Sequence, residues 1–96
     1  MMNPGKIRHK GLKRYVAKGD VSKLRPDWVP KIRRILSALN TAEKPEDLDI
    51  PSYSWHQLEG NRLGTYSVKV NKNWRVTYRW DDVGPFDIDL EDYHGR

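Results

Sequence analysis

Residues 65–91 read TYSVKVNKNWRVTYRWDDVGPFDIDLE, and their side chains change character at nearly every step. Tyr66, Val68 and Val70 alternate with Ser67 and Lys69. Trp74, Val76, Tyr78 and Trp80 alternate with Arg75, Thr77 and Arg79. Phe86, Ile88 and Leu90 alternate with Asp87, Asp89 and Glu91. A period of two sends apolar side chains to one face of a strand and polar ones to the other. Asn71-Lys72-Asn73 reads as a tight turn, and residues 81–85, with Gly84-Pro85, as a longer one. The stretch therefore predicts three successive antiparallel strands with one apolar face and one wet face. A shorter strand around residues 55–58 precedes them.

Upstream of Pro51 the period is helical. Trp28, Ile32, Ile35, Leu36 and Leu39 recur at steps of three and four, which makes one apolar stripe. Asp27 is the expected N-cap, and Pro30 falls in the first turn, where a missing N–H costs nothing. Lys31, Arg33 and Arg34 lie off the stripe. Nearer the start, residues 6–9 suggest a short strand. A short basic helix follows to about Lys18, with Gly19 as its stop. "KPEDLDIP", residues 44–51, reads as one helical turn and a loop. Only the helices can cover the apolar face of the sheet. The expected class is α+β, with N-terminal helices packed on one face of a small antiparallel sheet. Residues 1–96 read as a single domain, with residues 1–5 as a loose leader.

The chain has 96 residues, a net charge of +5, no cysteine, four Trp and five Tyr. Large rings can fill a core that chain length keeps small. Without cysteine there is no disulfide and no thiolate metal site. No apolar run approaches the ~20 residues of a membrane helix, and no secretory signal follows Met1, so a cytoplasmic protein is expected. The positive charge favours a polyanionic partner such as nucleic acid.

Alternation places Lys69, Arg75 and Arg79 on the wet face, and Asp87, Asp89 and Glu91 join them from the last strand. With the hairpin centred near Val83, Arg79 lies opposite Asp87 and Arg75 opposite Glu91. These are then ordinary cross-strand ion pairs. His56 and His94 each carry an imidazole, a side chain that can give or take a proton. If the first and last strands converge, the two histidines share a cleft with Asp92, Tyr93 and Arg75. Such a set suits phosphodiester cleavage by a ribose 2′-hydroxyl: one group removes the proton, another protonates the leaving oxygen, and a guanidinium offsets the added charge. A metal site on His56, Asp92 and His94 is the competing use, although no helical His-x-x-x-His pair is present.

"GNRLGTYSVKVNKNWRVTYRW", followed by "GPFDIDLEDYH", resembles the HigB branch of the RelE/ParE toxin superfamily. The shared elements are Gly64-Thr65-Tyr66-Ser67-Val68-Lys69-Val70, then Asn73-Trp74-Arg75, then Asp92-Tyr93-His94. "HKGLKRYVAKG", from His9, looks like the family's first helix. The likeness runs from about Lys6 to His94. It implies a RelE-like fold and a toxin that cuts messenger RNA on the ribosome, using neither metal nor other cofactor. It also implies silencing by a HigA-like helix-turn-helix antitoxin, with the toxin monomeric alone and in a larger complex with its antitoxin. Carried over by position, Arg75 stabilises the scissile phosphate, Asp92, Tyr93 and His94 line the site, and His56 matches a histidine of many members. Lys69, Arg79, Lys10, Lys13 and Arg14 are the expected RNA and ribosome contacts. The family's His-Pro-Leu-Lys-Gly is here His56-Gln57-Leu58-Glu59-Gly60, so a basic residue is replaced by an acid. ParE-like members share the fold yet inhibit DNA gyrase by contact, so a non-enzymatic binder is the second reading. An inactive relic that binds antitoxin or RNA is the third.

Overall fold

The computed structural model describes residues 2–92. The alternating stretch forms the predicted meander: β2 (Thr65–Lys69), β3 (Trp74–Trp80) and β4 (Pro85–Asp92), preceded by a two-residue β1 (His56–Gln57). All neighbours are antiparallel and the order is β1-β2-β3-β4. Directly paired residues share a face. Val68, Val76 and Leu90 therefore point one way, and Lys69, Arg75 and Glu91 the other.

Two helices cover the apolar face. In α2 (Val29–Thr41), Ile32, Ile35 and Leu39 are at most 1% exposed, as the stripe predicts. Burying each stabilises the fold by about 1.5–3 kcal/mol. Trp28 packs on Trp74 at 5.2 Å between ring centroids, which fixes the start of α2 against β3. Asp27 is not the N-cap. Pro26 already locks a 3-10 turn over Pro26–Trp28, so Asp27 lies inside that turn and pairs with Arg25 at 3.5 Å. On the same side, rings stack from Trp55 to Tyr66 to Tyr78. The Tyr78 hydroxyl accepts from Trp55 Nε1 at 2.8 Å and donates to the Pro45 carbonyl at 3.0 Å. Burial pushes its pKa well above the ordinary phenol range. Pro45–Leu48 is the single turn expected from "KPEDLDIP".

The N-terminus departs from the expected strand over residues 6–9. Pro4–Lys6 form a 3-10 turn, with Asn3 Oδ1 accepting from the Gly5 amide, and Met2 packs on the core. Only Ile7 makes a bridge, parallel to Ile88, with the Arg8 amide donating to the Ile88 carbonyl at 2.7 Å. The strand stops there because the next element starts at once. His9 caps α1 (Lys10–Lys18), its Nδ1 accepting from the Gly11 and Leu12 amides at 3.1 and 3.2 Å. Gly11 is required at that contact: a Cβ there would stand 2.9 Å from the His9 ring and 3.1 Å from the Leu24 side chain. Gly19 ends the helix at φ 69°, as expected.

This cap titrates. An imidazole that accepts at Nδ1 is not the doubly protonated form. Burial lowers the pKa of His9, and the Asp89 charge opposes that shift. The folded pKa thus lies below the ordinary 6.5. As pH falls, the unfolded chain takes up the proton first, so folding stability declines below about pH 6.5 until the folded pKa is also passed. Urea unfolding midpoints for wild type and His9→Asn should part company as pH drops from 7.5 to 5, with the asparagine cap losing less. Parallel curves would show that His9 does not report this proton.

Candidate active site

Strand alternation lays three rows across the open face of the sheet. His56, Ser67, Thr77 and Asp89 form one; Lys69, Arg75 and Glu91 the next; Thr65, Arg79 and Phe86 the third. The face is polar but its centre is dry. Ser67 and Thr77 are 0% and 2% exposed, and each has a charged neighbour over it. Arg75 Nη1 donates to Ser67 Oγ at 3.0 Å, and the Thr77 hydroxyl donates to Glu91.

His56 and Arg75, one strand apart across β2, meet at a single atom. Ser54 adopts φ 46°, a left-handed backbone uncommon for a residue with a side chain. Its carbonyl oxygen accepts from Arg75 Nη1 at 3.3 Å, and His56 Nδ1 lies 3.3 Å from the same oxygen. Both contacts are long for a nitrogen–oxygen pair. A charged oxygen would draw a guanidinium and an imidazole closer.

The other expected residues are divided. Lys69 is directly opposite Arg75. Lys31 of α2 donates to the Ser52 carbonyl at 3.0 Å; partial burial first, then the nearby Arg34 and Lys69 charges, lower its pKa. A positive zone therefore flanks Arg75. Arg79 does not belong to it. Four residues further along β3, about 13 Å away, it stacks over Phe86 at 5.2 Å. The expected Arg79–Asp87 pair is absent for a definite reason. Asp87 has φ 53° and the register slips by one between Thr77 and Arg79, so Phe86, not Asp87, opposes Arg79. Phe86 consequently leaves the core for the open face, and Asp87 pairs with Arg8 at 3.6 Å. On α1, Lys10 and Lys13 are exposed, whereas Arg14 is held by Asp20 at 2.7 and 2.9 Å. The Ser22 amide first, then Arg14, holds the Asp20 carboxyl far below the usual range.

Asp92 ends β4 opposite Trp74, one place beyond the Arg75–Glu91 pair. Alternation turns it to the side of Trp74, so the acid squarely facing Arg75 is Glu91. Tyr93 and His94 lie outside the described residues. Glu91 is the surprise of the site. Arg62, from the 3-10 turn Gly60–Arg62, grips it with both terminal nitrogens at 2.8 and 2.7 Å. That grip raises the Arg62 pKa further. Neither Arg62 nor Ser54 stands out in the sequence, since both sit in loops without periodicity. A cleft of about 340 Å³ between α1 and α2, walled by Tyr15, Val16 and Leu36, contains none of these groups.

Known proteins match this chain over most of its length. A family model described as the RelE-like toxin of type II toxin–antitoxin system HigB covers residues 5–94. The chain is similar to the endoribonuclease HigB of Proteus vulgaris, 36% identical over 88 residues, which span 92% of this chain and 96% of that protein. It is also similar to the toxin HigB-1 of Vibrio cholerae, 40% identical over 50 residues, about half of each chain. Among solved structures, YoeB in the YoeB–YefM complex of Staphylococcus aureus superposes with a TM-score of 0.58 over 93% of both chains, at 20% identity. The YoeB dimer of the same organism gives 0.56 at the same identity and coverage. At 20% identity these two speak for the fold alone.

Proposed function

Because the chain belongs to the HigB family of RelE-like toxins, we propose that the open face of its sheet is a ribonuclease site acting on messenger RNA held by the ribosome. The protein is an endoribonuclease toxin of a type II toxin–antitoxin system, with an antitoxin as its partner. One observation carries the placement of the site: His56 and Arg75 converge on the Ser54 carbonyl oxygen.

In the reaction, the ribose 2′-oxygen attacks the adjacent phosphorus and the bond to the 5′-oxygen breaks. The products are a 2′,3′-cyclic phosphate and a 5′-hydroxyl. Arg75 offsets the charge that gathers on the phosphoryl oxygens. His94 moves or orients the protons, Tyr93 lines the site, and His56 stands beside Arg75 as a further donor; Asp92, on the Trp74 side at the end of β4, acts on the protons only through these neighbours. These side chains supply the chemistry without a metal. The ribosome positions the messenger, a task for which a chain of this size has little surface. We place the toxin in the cytoplasm, monomeric when alone. Its partner is a HigA-like helix-turn-helix antitoxin, and the two form a larger complex. Among the described residues no helix is long and apolar enough to cross a membrane.

Induced expression tests the reading. Growth arrest with mRNA cuts phased to codons supports it. Arrest with intact mRNA and DNA damage would point to the gyrase inhibitor, and no arrest to the relic. Salt provides a second measurement. Neutralising Lys69, Lys10 or Lys13 should reduce the slope of log affinity for ribosomes against log salt by about 0.7–0.9 per lost phosphate contact. Arg14→Gln should change it far less, because Asp20 already holds that guanidinium. Unaltered slopes in the lysine variants would remove those contacts from the interface.

A further inference from the structure

We propose that Lys31, with Lys69 and Arg34, forms a second phosphate subsite, which holds the messenger phosphate next to the scissile one. The proposal rests on the reading of the open face as a ribonuclease site. Its first ground is charge. Lys31 and Lys69 are both half-buried, and Arg34 lies one helical turn beyond Lys31 on α2. A lysine drawn partly out of water ordinarily has a carboxylate beside it. Here, among the described residues, the paired carboxylates take Arg8, Arg14, Arg25 and Arg62, and none takes Lys31, Lys69 or Arg34. Burial first, then the charges of Arg34 and Lys69, lower the pKa of Lys31, so both neighbours repel it. Like charges gathered in this way cost the fold energy, and a bound polyanion removes that cost.

The second ground is placement. The Lys31 ammonium lies over the Tyr53 ring, 5.4 Å from its centroid, and donates to the Ser52 carbonyl at 3.0 Å. Arg75 donates to the Ser54 carbonyl at 3.3 Å. One short segment, Ser52-Tyr53-Ser54, therefore anchors both cations, at carbonyls no more than about 7 Å apart along the chain. That is the scale of one nucleotide step in an extended strand. Lys69 stands directly opposite Arg75, and its charge reaches Lys31. With the scissile phosphate at Arg75, the next one along falls between Lys31 and Lys69. The third ground is orientation. The ring and the Ser52 carbonyl fix the Lys31 head while two of its three N–H groups remain for phosphate oxygens. Arg34, which is exposed, approaches the same anion from the solvent side. Helix α2 thereby contributes to a site whose other groups belong to the sheet.

Wild type and Lys31→Gln are compared in single-turnover cleavage of programmed ribosomes. The message carries either natural phosphates or one neutral methylphosphonate beside the cleavage site, on its 5′ or its 3′ side. Lys31→Gln is expected to raise the toxin concentration for half-maximal rate about tenfold and to change the maximal rate by less than about threefold, as lost ground-state binding does. The methylphosphonate on one side should weaken wild type by a similar factor, and Lys31→Gln by less than about twofold, because the contact is already gone. On the other side it should affect both proteins alike. Losses that multiply at both positions would assign Lys31 to some other phosphate and overturn the proposal, as would a Lys31→Gln protein that loses nothing. Lys31→Gln should melt within about 3 °C of wild type, since relief of the repulsion offsets the lost Ser52 contact. A larger fall without the non-additive kinetics marks a structural lysine and also overturns it. Inorganic phosphate, titrated against the side-chain NMR signals of Lys31 and Lys69, separates the subsite from the ribonuclease reading. If the protein cuts no RNA and the two signals shift together with one midpoint, the subsite stands and the ribonuclease reading falls. If neither signal shifts, the subsite is overturned whatever the protein cuts.

Discussion

Arg75→Ala is expected to lower the rate of RNA cleavage by about two to three orders of magnitude, the cost of removing one preorganised donor from a developing anion. Arg75 qualifies because its charge is held in place. Ser67, beneath it, is fully buried, and the Ser54 carbonyl fixes the other direction of the same nitrogen. The loss should appear in kcat, with ribosome affinity little altered, since the charge matters most when the phosphoryl oxygens gain density. Arg75→Lys should recover only part of the rate, because an ammonium cannot reach Ser67, Ser54 and a phosphate as a planar fork does. Arg79→Ala is the internal control. It removes a stacked guanidinium at the far end of β3 and should leave kcat within a few-fold of wild type. Single-turnover cleavage of programmed ribosomes measures all three. Equal rates for Arg75→Ala and wild type would move the site elsewhere. His94→Ala, assayed beside them, asks whether the imidazole past the end of β4 shares the chemistry.

The second large effect concerns folding. Ile88→Ala should destabilise the protein by about 2–5 kcal/mol, the usual cost of emptying a filled core position. Ile88 is 0% exposed, bridges Ile7 and sits where the N-terminal segment is tied to β4. A small domain has only about 5–15 kcal/mol in hand, so the melting temperature should fall by roughly 10–25 °C. Function should suffer as well, because the strand that loses its anchor carries Glu91 and Asp92. Val83→Ala, at a residue 83% exposed in the β3–β4 turn, should cost under about 0.5 kcal/mol. Thermal and urea unfolding of the two variants decide the matter. A loss below about 1 kcal/mol for Ile88→Ala would mean that the N-terminal segment collapses into the gap.

Much of this architecture is legible in the chain. The stripe from Trp28 to Leu39 and the alternation over residues 65–91 name the core-facing side chains of α2 and of three strands, which are buried or, like Tyr66, Trp74 and Trp80, half-buried against the core. Phe86 is the exception. Its place in the alternation is sound, but the left-handed backbone of Asp87 inserts a step that no periodicity records. Asp27 and His9 show a similar limit. Both lie at helix starts, yet Pro26 takes the cap away from one and two free amides give it to the other. Arg75 and His56 were recognisable by position within the family's motifs. Arg62 was not, since its partner lies 29 residues away on the far side of the sheet.

The sequence by itself determined the order of the two helices and of the strands of the meander, the face on which most of their side chains fall, and the family to which the chain belongs. These follow from neighbours a few positions apart, where periodicity and turn chemistry act directly. Only the tertiary structure decided which charges meet. It set Arg62 against Glu91, moved Arg79 away from Asp87, and brought Arg75 to a carbonyl 21 residues distant, beside His56. The physical reason is that an ion pair depends on a few ångströms of register and on one residue's backbone angle. A single bulge or a left-handed serine changes both, while the hydrophobic pattern that specifies the sheet stays the same.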